Sequence, residues 1–226
     1  MSEAPPAVAA SMPIERFPAL VAAPGVVHGF LGRVSGLDVK VDRALALERL
    51  DGFHRAAREE LGLGGRAFVF GEQVHGREVA VVDEHTSAPV PGVDGVITAS
   101  RAVCLGVYVA DCCAVYLVDP VRRVIGLLHS GRKGSELGIT AVAIERMRTE
   151  FQCDPADIIV QLSPCIRPPN YEVDFAAFVV AQCRAAGVTQ VHDCGTCTGA
   201  DTDAYYSYRM EKGKTGRMLA LLALRS

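Results

Sequence analysis

Three side chains that bind soft metal ions lie at the ends of apolar segments in this 226-residue chain. Cys112 follows the apolar segment 103–110, His129 ends the apolar segment 124–128, and His75 lies between two short β-rich segments. Tight connections between such strand-length segments bring Cys112 and His129 to neighbouring strand ends. Two imidazoles and one thiolate form a known ligand set of catalytic zinc sites, which keep a fourth position for water or substrate. The sequence therefore predicts a metal site at His75, Cys112 and His129.

Two kinds of catalytic chemistry are open to these three residues. Bound zinc lowers the pKa of its water toward about 7, which supplies hydroxide at neutral pH. Alternatively, Cys112 is a nucleophile with His75 or His129 as its base, and Asp111 orients or polarises the group. Purely structural roles are the alternative. His75 would then be a turn histidine, Cys112 a buried thiol, and His129 a strand-end histidine bonded to backbone. Cys113 points to the opposite face of a continuing strand, so we expect it in the core.

A short basic segment follows the third apolar segment. It is Gly131-Arg132-Lys133-Gly134, and it leads into a helix predicted to begin at Ser135. Free backbone N–H groups and two cations favour an anion such as phosphate, although a solvated surface loop is the alternative. The phosphate-binding candidates are Arg132, Lys133, Arg217 and Arg33. The tyrosines of segment 205–208 are candidates for stacking on a planar ring, with a partly buried strand as the alternative.

Composition and charge exclude several classes of protein. Half of the residues are hydrophobic, which is enough for a sizeable core, and the net charge of −3 gives no basic surface for nucleic acid. The apolar segments are too short to cross a bilayer, and the first residues do not read as a signal peptide. The eight cysteines are therefore expected to be reduced thiols in a cytoplasmic protein. Cys194 and Cys197 form a C-x-x-C without a second such motif, so a structural role is favoured.

The order of elements predicts the fold class. Many short strands and about three helices alternate irregularly, which favours a single α+β domain with mixed or antiparallel sheets over a doubly wound fold. The expected domain covers residues 26–226. Residues 1–25, rich in Ala and Pro at the start, are expected to form a flexible N-terminal lead.

Several short motifs occur together in one order from about residue 26 to the C-terminus. They are His28-Gly29-Phe30, Gln73-Val74-His75-Gly76, Asp94-Gly95-Val96-Ile97-Thr98, Ala110-Asp111-Cys112, His129-x-Gly131, Tyr171-Glu172-Val173, Cys197-Thr198, Tyr206-Ser207-Tyr208-Arg209 and Thr215-Gly216-Arg217-Met218. This pattern resembles the YfiH/laccase-domain family, also called the polyphenol oxidase or purine nucleoside phosphorylase family.

The resemblance implies a sandwich-like single domain with mixed sheets and a zinc site at His75, Cys112 and His129. It also implies phosphorolysis of purine nucleosides, including adenosine, inosine and methylthioadenosine, and deamination of adenosine. The small-molecule partners would be the nucleoside and phosphate. Other activities proposed in the family are copper polyphenol oxidation and peptidoglycan editing. Copper is the less favoured metal, because a multicopper oxidase needs several centres and this chain has six histidines.

Two segments depart from the family pattern. The family's H-A-G-W-R-G is His129-Ser130-Gly131-Arg132-Lys133-Gly134 here, so that the tryptophan is absent and lysine replaces arginine. The family's Cys pair before Y-E-V is Pro169-Asn170 here. The alternatives to a zinc phosphorylase and deaminase are therefore a cysteine hydrolase acting on amide bonds, a copper oxidase, and a catalytically altered binding protein.

Overall fold

The computed structural model describes residues 13–225, and these residues contain two β-sheets and five α-helices. The strands are β1 (Ile14–Glu15), β2 (Val26–Leu31), β3 (Ala67–Phe70), β4 (Val79–Val81), β5 (Gly95–Thr98), β6 (Val103–Val109), β7 (Cys113–Asp119), β8 (Val124–Ser130), β9 (Ile159–Leu162), β10 (Gln190–Asp193) and β11 (Met218–Leu224). The helices are α1 (Pro18–Ala22), α2 (Arg43–Glu60), α3 (Arg132–Glu136), α4 (Ile139–Phe151) and α5 (Phe175–Ala185).

The two sheets are both mixed, and they pack face to face. One has the strand order β1-β2-β11-β6-β3, and the other has the order β10-β9-β7-β8-β5-β4. A shared core joins Leu105 and Val107 of β6 to Tyr116 of β7 and Leu127 of β8. This arrangement confirms the predicted α+β class with mixed sheets in a single sandwich-like domain.

Helices cover the outer faces of both sheets. Ala57 of α2 packs with Cys104 and Leu219 outside the first sheet, and α4 and α5 cover the second with Met147 and Val179. The central strands β7, β8 and β11 are buried at every residue because each has a packed layer on both sides. Their continuous apolar sequences follow from that position.

The register of β7 against β8 determines where the metal-binding candidates lie. Ala114 pairs with His129 and Cys113 pairs with Ser130 in this antiparallel ladder. Cys112 directly precedes β7 and therefore lies beside the end of β8. The convergence of Cys112 and His129 that the sequence predicts follows from this short hairpin.

The N-terminal prediction needs correction within the described residues. β1 pairs with β2, and α1 buries Leu20 in the core beside Phe17. Residues 14–22 are therefore part of the domain and not of a flexible lead, because a Pro-started helix and an edge strand find apolar partners. Residues 1–12, the rest of that predicted lead, lie outside the described residues.

The helix predicted to begin at Ser135 is in fact two helices. Arg132–Glu136 form α3, and Gly138 adopts a left-handed φ of 82° before α4 begins at Ile139. Ser135 does not cap a helix, since its hydroxyl hydrogen-bonds to the carbonyl of Gly131 and to the hydroxyl of Ser130. The basic residues Arg132 and Lys133 consequently belong to a short helix instead of a loop.

No helix in residues 13–225 is long and apolar enough to cross a membrane. The eight cysteines all lie in this part of the chain, and each is a free thiol. Cys113 is fully buried in the core on the helix-covered side of its sheet, as the alternation along the strand predicts.

Candidate metal centre and cleft

His75, Cys112 and His129 meet at one point, although they come from three different connections and strand ends. Their potential ligand atoms all lie within 4.8 Å of one another. A tetrahedral ion with Zn–N near 2.0–2.1 Å and Zn–S near 2.3 Å needs ligand atoms about 3.5 Å apart, so small side-chain rotations complete the site. Within residues 13–225 this is the one cluster of three or more such side chains that can share an ion.

Gly131 permits the close approach of the third ligand segment. A Cβ atom built at this position would lie 2.5 Å from the Sγ of Cys112 and 3.7 Å from the Cδ2 of His75. Carbon and sulfur cannot approach so closely, so any side chain at residue 131 would displace Cys112 or its own backbone. The glycine of the H-x-G motif is therefore a requirement of the site's packing.

Asp94 positions His75 through the backbone. The peptide N–H groups of Val74, His75 and Gly76 all donate to the carboxylate of Asp94, at 3.1, 2.9 and 2.7 Å. His75 has a left-handed φ of 61°, which is uncommon for a non-glycine residue. Three charge-assisted hydrogen bonds offset the cost of this conformation.

Asp94 also fixes the ring of His129. The Nδ1 atom of His129 donates to Oδ1 of Asp94 at 2.8 Å, which leaves Nε2 for a metal ion. The rings of His75 and His129 stand nearly perpendicular, at 77°, with their centroids 4.8 Å apart. One buried carboxylate thus orients two of the three predicted ligands.

The electrostatics of the cluster favour a thiolate beside an imidazolium. Burial opposes ionisation of Cys112, but the charge and hydrogen bonds of His129 and His75 lower the pKa of its thiol to about 6. Burial likewise opposes the charge on His129, but Cys112 and Asp94 raise its pKa to about 9. A deprotonated thiol is the form that a metal ion requires, and it is also the form of a nucleophile.

Gln73 links the loop that carries His75 to the end of β6. Its side-chain amide donates to the carbonyl of Tyr108 at 2.6 Å and accepts from the N–H of Tyr108 at 2.9 Å. Gln73 has a left-handed φ of 64° and is buried. This paired bond holds the His75 loop against the first sheet, while Asp94 holds it against the second.

Asp111, which the sequence predicts to orient or polarise a reacting group, has both carboxylate oxygens hydrogen-bonded within the protein. Its carboxylate accepts from the hydroxyl of Thr198 and from the backbone N–H of Arg209, each at 2.7 Å. Its φ of 81° is left-handed. Asp111 lines the cleft beside Cys112, but these contacts make it an anchor for the segment that contains Arg209.

The cleft that opens at the cluster has a volume of about 910 Å³. Three of the four predicted phosphate-binding residues, Arg132, Lys133 and Arg217, line it. Arg132 pairs with Glu136 at 2.9 Å and faces Glu172 at 3.7 Å. Arg217 is held by the carbonyls of Thr215 and Gly216.

Arg33 is the exception among these predicted residues. It lies outside the cleft, where it pairs with Glu211 at 2.7 Å and donates to the carbonyl of Tyr205. Its guanidinium lies 4.4 Å from the centroid of the Tyr206 ring. Arg33 therefore does not lie with the other three candidates, because its guanidinium pairs with the carboxylate of Glu211.

Aromatic rings supply much of the apolar lining of the cleft. Tyr108, Tyr171, Phe175 and Tyr208 all border it. Of the predicted tyrosines, Tyr208 faces the cleft, whereas Tyr205 and Tyr206 are buried and bond to Glu15 and to the backbone of Val34.

Sequence reasoning missed three residues of the site, Gln73, Asp94 and Arg43. Gln73 and Asp94 each belong to a motif of the family pattern, and Asp94 directly precedes β5. A polar residue at the end of a buried strand was the available signal. Arg43 begins α2, about thirty residues before His75, and nothing local to it indicates a site.

A comparison with models of protein families identifies the family of this chain. A family model described as multi-copper polyphenol oxidoreductase laccase matches residues 42–178 and 173–225. The chain belongs to this laccase-domain family. The matched ranges contain all three predicted metal ligands and every residue that lines the cleft.

Two purine nucleoside phosphorylases are similar to this chain in sequence. The chain is 36% identical over 192 residues to purine nucleoside phosphorylase ORF3 of Streptomyces griseus, covering 73% of this chain and 76% of that protein. It is 28% identical over 230 residues to the purine nucleoside phosphorylase YlmD of Geobacillus stearothermophilus, covering 84% and 82%.

Solved structures share the fold of this laccase-domain protein. The crystal structure of YlmD from Geobacillus stearothermophilus superposes with a TM-score of 0.81 at 26% identity, covering 93% of this chain and 94% of that one. Bacillus licheniformis YfiH, at 22% identity, has the same fold with a TM-score of 0.79 and covers 88% and 93%.

Proposed function

We propose that this laccase-domain protein is a zinc-dependent purine nucleoside phosphorylase that acts on adenosine, inosine or methylthioadenosine. The observation that carries the proposal is the cluster of His75, Cys112 and His129 beside a cleft with aromatic and cationic walls. The purine nucleoside phosphorylases among its relatives support the choice of reaction.

The donor set fits zinc. Two imidazoles and a thiol with a lowered pKa are zinc ligands by type, and three protein ligands would leave a fourth position of a tetrahedral ion for water or substrate. Copper accepts the same donors, but residues 13–225 hold one such cluster instead of several. When bound, zinc supplies a Lewis acid that stabilises negative charge developing on the reactants.

The chain's own residues account for binding and orientation. The aromatic rings of Tyr108, Tyr171 and Phe175 offer faces for the purine. Lys133 and Arg132 lie on α3, directly after the segment that contacts Cys112, and hold the attacking phosphate. Asp94 holds the ring of His129 in place through its Nδ1 atom.

The phosphorolysis step balances without a further reactant. An oxygen of inorganic phosphate forms a bond to the ribose C1′, and the bond from C1′ to the purine nitrogen breaks. The purine leaves with the electron pair and takes up the proton that the phosphate loses. The products are the free base and ribose 1-phosphate, or the methylthio derivative of that sugar phosphate when methylthioadenosine is the substrate.

Deamination of adenosine is a second candidate for the same site. Zinc nucleobase deaminases use imidazole and thiolate ligands, and the cluster has both types. A third candidate is a cysteine hydrolase acting on amide bonds, favoured by the thiol pKa of about 6 beside His129. Both remain alternatives to phosphorolysis.

Product analysis with metal analysis separates these functions. Purified protein is expected to contain about one zinc per chain and to release hypoxanthine from inosine only when phosphate is present. Inosine formed from adenosine without phosphate indicates deamination instead. The Cys112→Ala variant is expected to lose both zinc and turnover, whereas the Cys194→Ala variant, which changes a thiol outside the cluster, keeps them. Full turnover by Cys112→Ala would disprove the site.

A further inference from the structure

The cleft has more positive charge than a neutral nucleoside and one phosphate require. Six cationic side chains line it, against the acidic side chains of Asp111 and Glu136. The six are Arg43, Arg132, Lys133, Arg209, Lys212 and Arg217. A bound zinc ion would add further positive charge to this total.

Acidic partners account for only two of these cations. Arg132 pairs with Glu136, and Arg209 pairs with Glu172 at 3.3 Å. Among the described residues, the other four have no carboxylate within ion-pair distance. Asp111 accepts hydrogen bonds from Thr198 and from the backbone N–H of Arg209 and forms no ion pair with these cations, although its charge and that of Cys112 partly offset the positive charge around Arg217.

Arg43 and Arg217 are two of the unpaired cations, and both line the same cleft. Burial and the charge of Arg43 lower the pKa of Arg217. Carbonyl oxygens of Thr215 and Gly216 accept from Nη1 of Arg217 and fix its guanidinium at the wall of the cleft. Arg217 is half-buried and Arg43 is exposed. An anion bound beside Arg217 in the cleft would offset the unfavourable effects of burial and of the neighbouring charge.

The position of this pair separates it from the phosphate site assigned to α3. Arg43 is the first residue of α2, and Arg217 directly precedes β11 in the first sheet. Lys133 and Arg132 instead follow β8 of the second sheet. Tyr208 lies beside Arg217, with the guanidinium 5.9 Å from its ring centroid. Cationic groups therefore reach the cleft from the segments next to both sheets.

We propose that Arg43 and Arg217 bind a phosphate group carried by the substrate itself, so that the cleft takes a purine nucleoside monophosphate in preference to the neutral nucleoside. This inference rests on the proposed function. The bond changes at C1′ stay the same, and the phosphate ester of the ribose is not broken. The products are therefore the free base and a ribose that carries both its original phosphate and a new one at C1.

The test compares inosine, inosine 5′-monophosphate and inosine 3′-monophosphate, both by equilibrium binding and by base release at saturating phosphate. We expect one monophosphate to bind at least tenfold more tightly than inosine, and the advantage to shrink as salt rises. The Arg43→Gln variant is expected to reduce the ratio of kcat/KM for that monophosphate over inosine about tenfold. Arg55→Gln, on the same helix and paired with Asp51, is the matched control and should keep the ratio.

Each other outcome has a defined meaning. Equal binding of inosine and both monophosphates overturns the inference but leaves the proposed function intact if inosine is cleaved. An Arg43→Gln variant that raises the KM for inorganic phosphate equally with every substrate also overturns it, since the pair would then hold the co-substrate. If no base is released from any substrate, the proposed function fails, and the binding comparison still decides the inference.

Discussion

The carboxylate of Asp94 and the ring of His129 form a buried hydrogen bond of 2.8 Å between Oδ1 and Nδ1. The same carboxylate accepts three backbone N–H groups from the segment that carries His75. Because the two predicted ligands reach the site from separate segments, this single side chain sets their relative position. Its own pKa is lowered, since the bonds from His129 and Gly76 outweigh the effect of burial.

Asp94→Asn is therefore expected to weaken zinc binding. An amide keeps the size of the side chain but replaces one acceptor oxygen with a donor, which opposes the N–H groups directed at it. Partners of this kind typically contribute a factor of about 10–100 in metal affinity. Competition with a chromophoric chelator measures this change. Asp51→Asn, at an exposed ion pair on α2, is the control. An affinity of Asp94→Asn equal to that of Asp51→Asn would show that Asp94 has no positioning role.

Gly131→Ala is expected to disrupt the metal site more than the fold. The new methyl group would lie 2.5 Å from the Sγ of Cys112, so the thiol must move away from His75 and His129. We expect zinc content well below one per chain, with the far-ultraviolet circular dichroism of the parent protein. Retention of a full equivalent of zinc by this variant would contradict the packing argument.

A pair of glycine variants tests the backbone of α2. Gly52 lies within the helix, and a Cβ there would meet no atom within 4 Å. Gly52→Ala should therefore stabilise the protein by about 0.5–1 kcal/mol. Gly62 has equally open space but a left-handed φ of 70°, so Gly62→Ala should destabilise it. Urea unfolding measures the free energy of unfolding of both variants. If both substitutions changed it in the same direction, the assignment of the helix end would be refuted.

Much of the fold and the ligand cluster could be predicted from residue patterns. The apolar segments of β7 and β8 and the short turn between them bring Cys112 to His129 by local geometry alone. The seven apolar residues that directly follow a basic segment indicate a strand with the bounds observed for β11. The two short β-rich segments on either side of His75 favour a strand end or a hairpin tip for this residue. It instead lies on a connection between two sheets, since β3 and β4 belong to different ones.

Residues that act through distant partners could not be predicted in the same way. Arg33 and Arg217 look alike in sequence, yet Glu211 pairs with Arg33 and no carboxylate in the described residues pairs with Arg217. Arg43 reaches the cleft from the start of α2, a helix whose Ala57 packs with Leu219 of β11. Such pairings depend on the long-range order of the sheets, which hydrophobic periodicity does not encode.

Stability should fall as the pH drops below about 6.5, in part because of His54. Burial lowers the pKa of His54 to about 4, and its Nε2 has no hydrogen-bond partner. The unfolded chain binds this proton near pH 6.5, whereas the native protein binds it only near pH 4, so protons favour unfolding between these values. The contribution is of the order of 3 kcal/mol. Urea unfolding between pH 4 and 7 should show a flatter pH dependence for His54→Leu. The control His85→Leu, at an exposed turn, should keep the parent slope. Parallel slopes for the parent and His54→Leu would mean that His54 is protonated as readily in the native protein as in the unfolded chain.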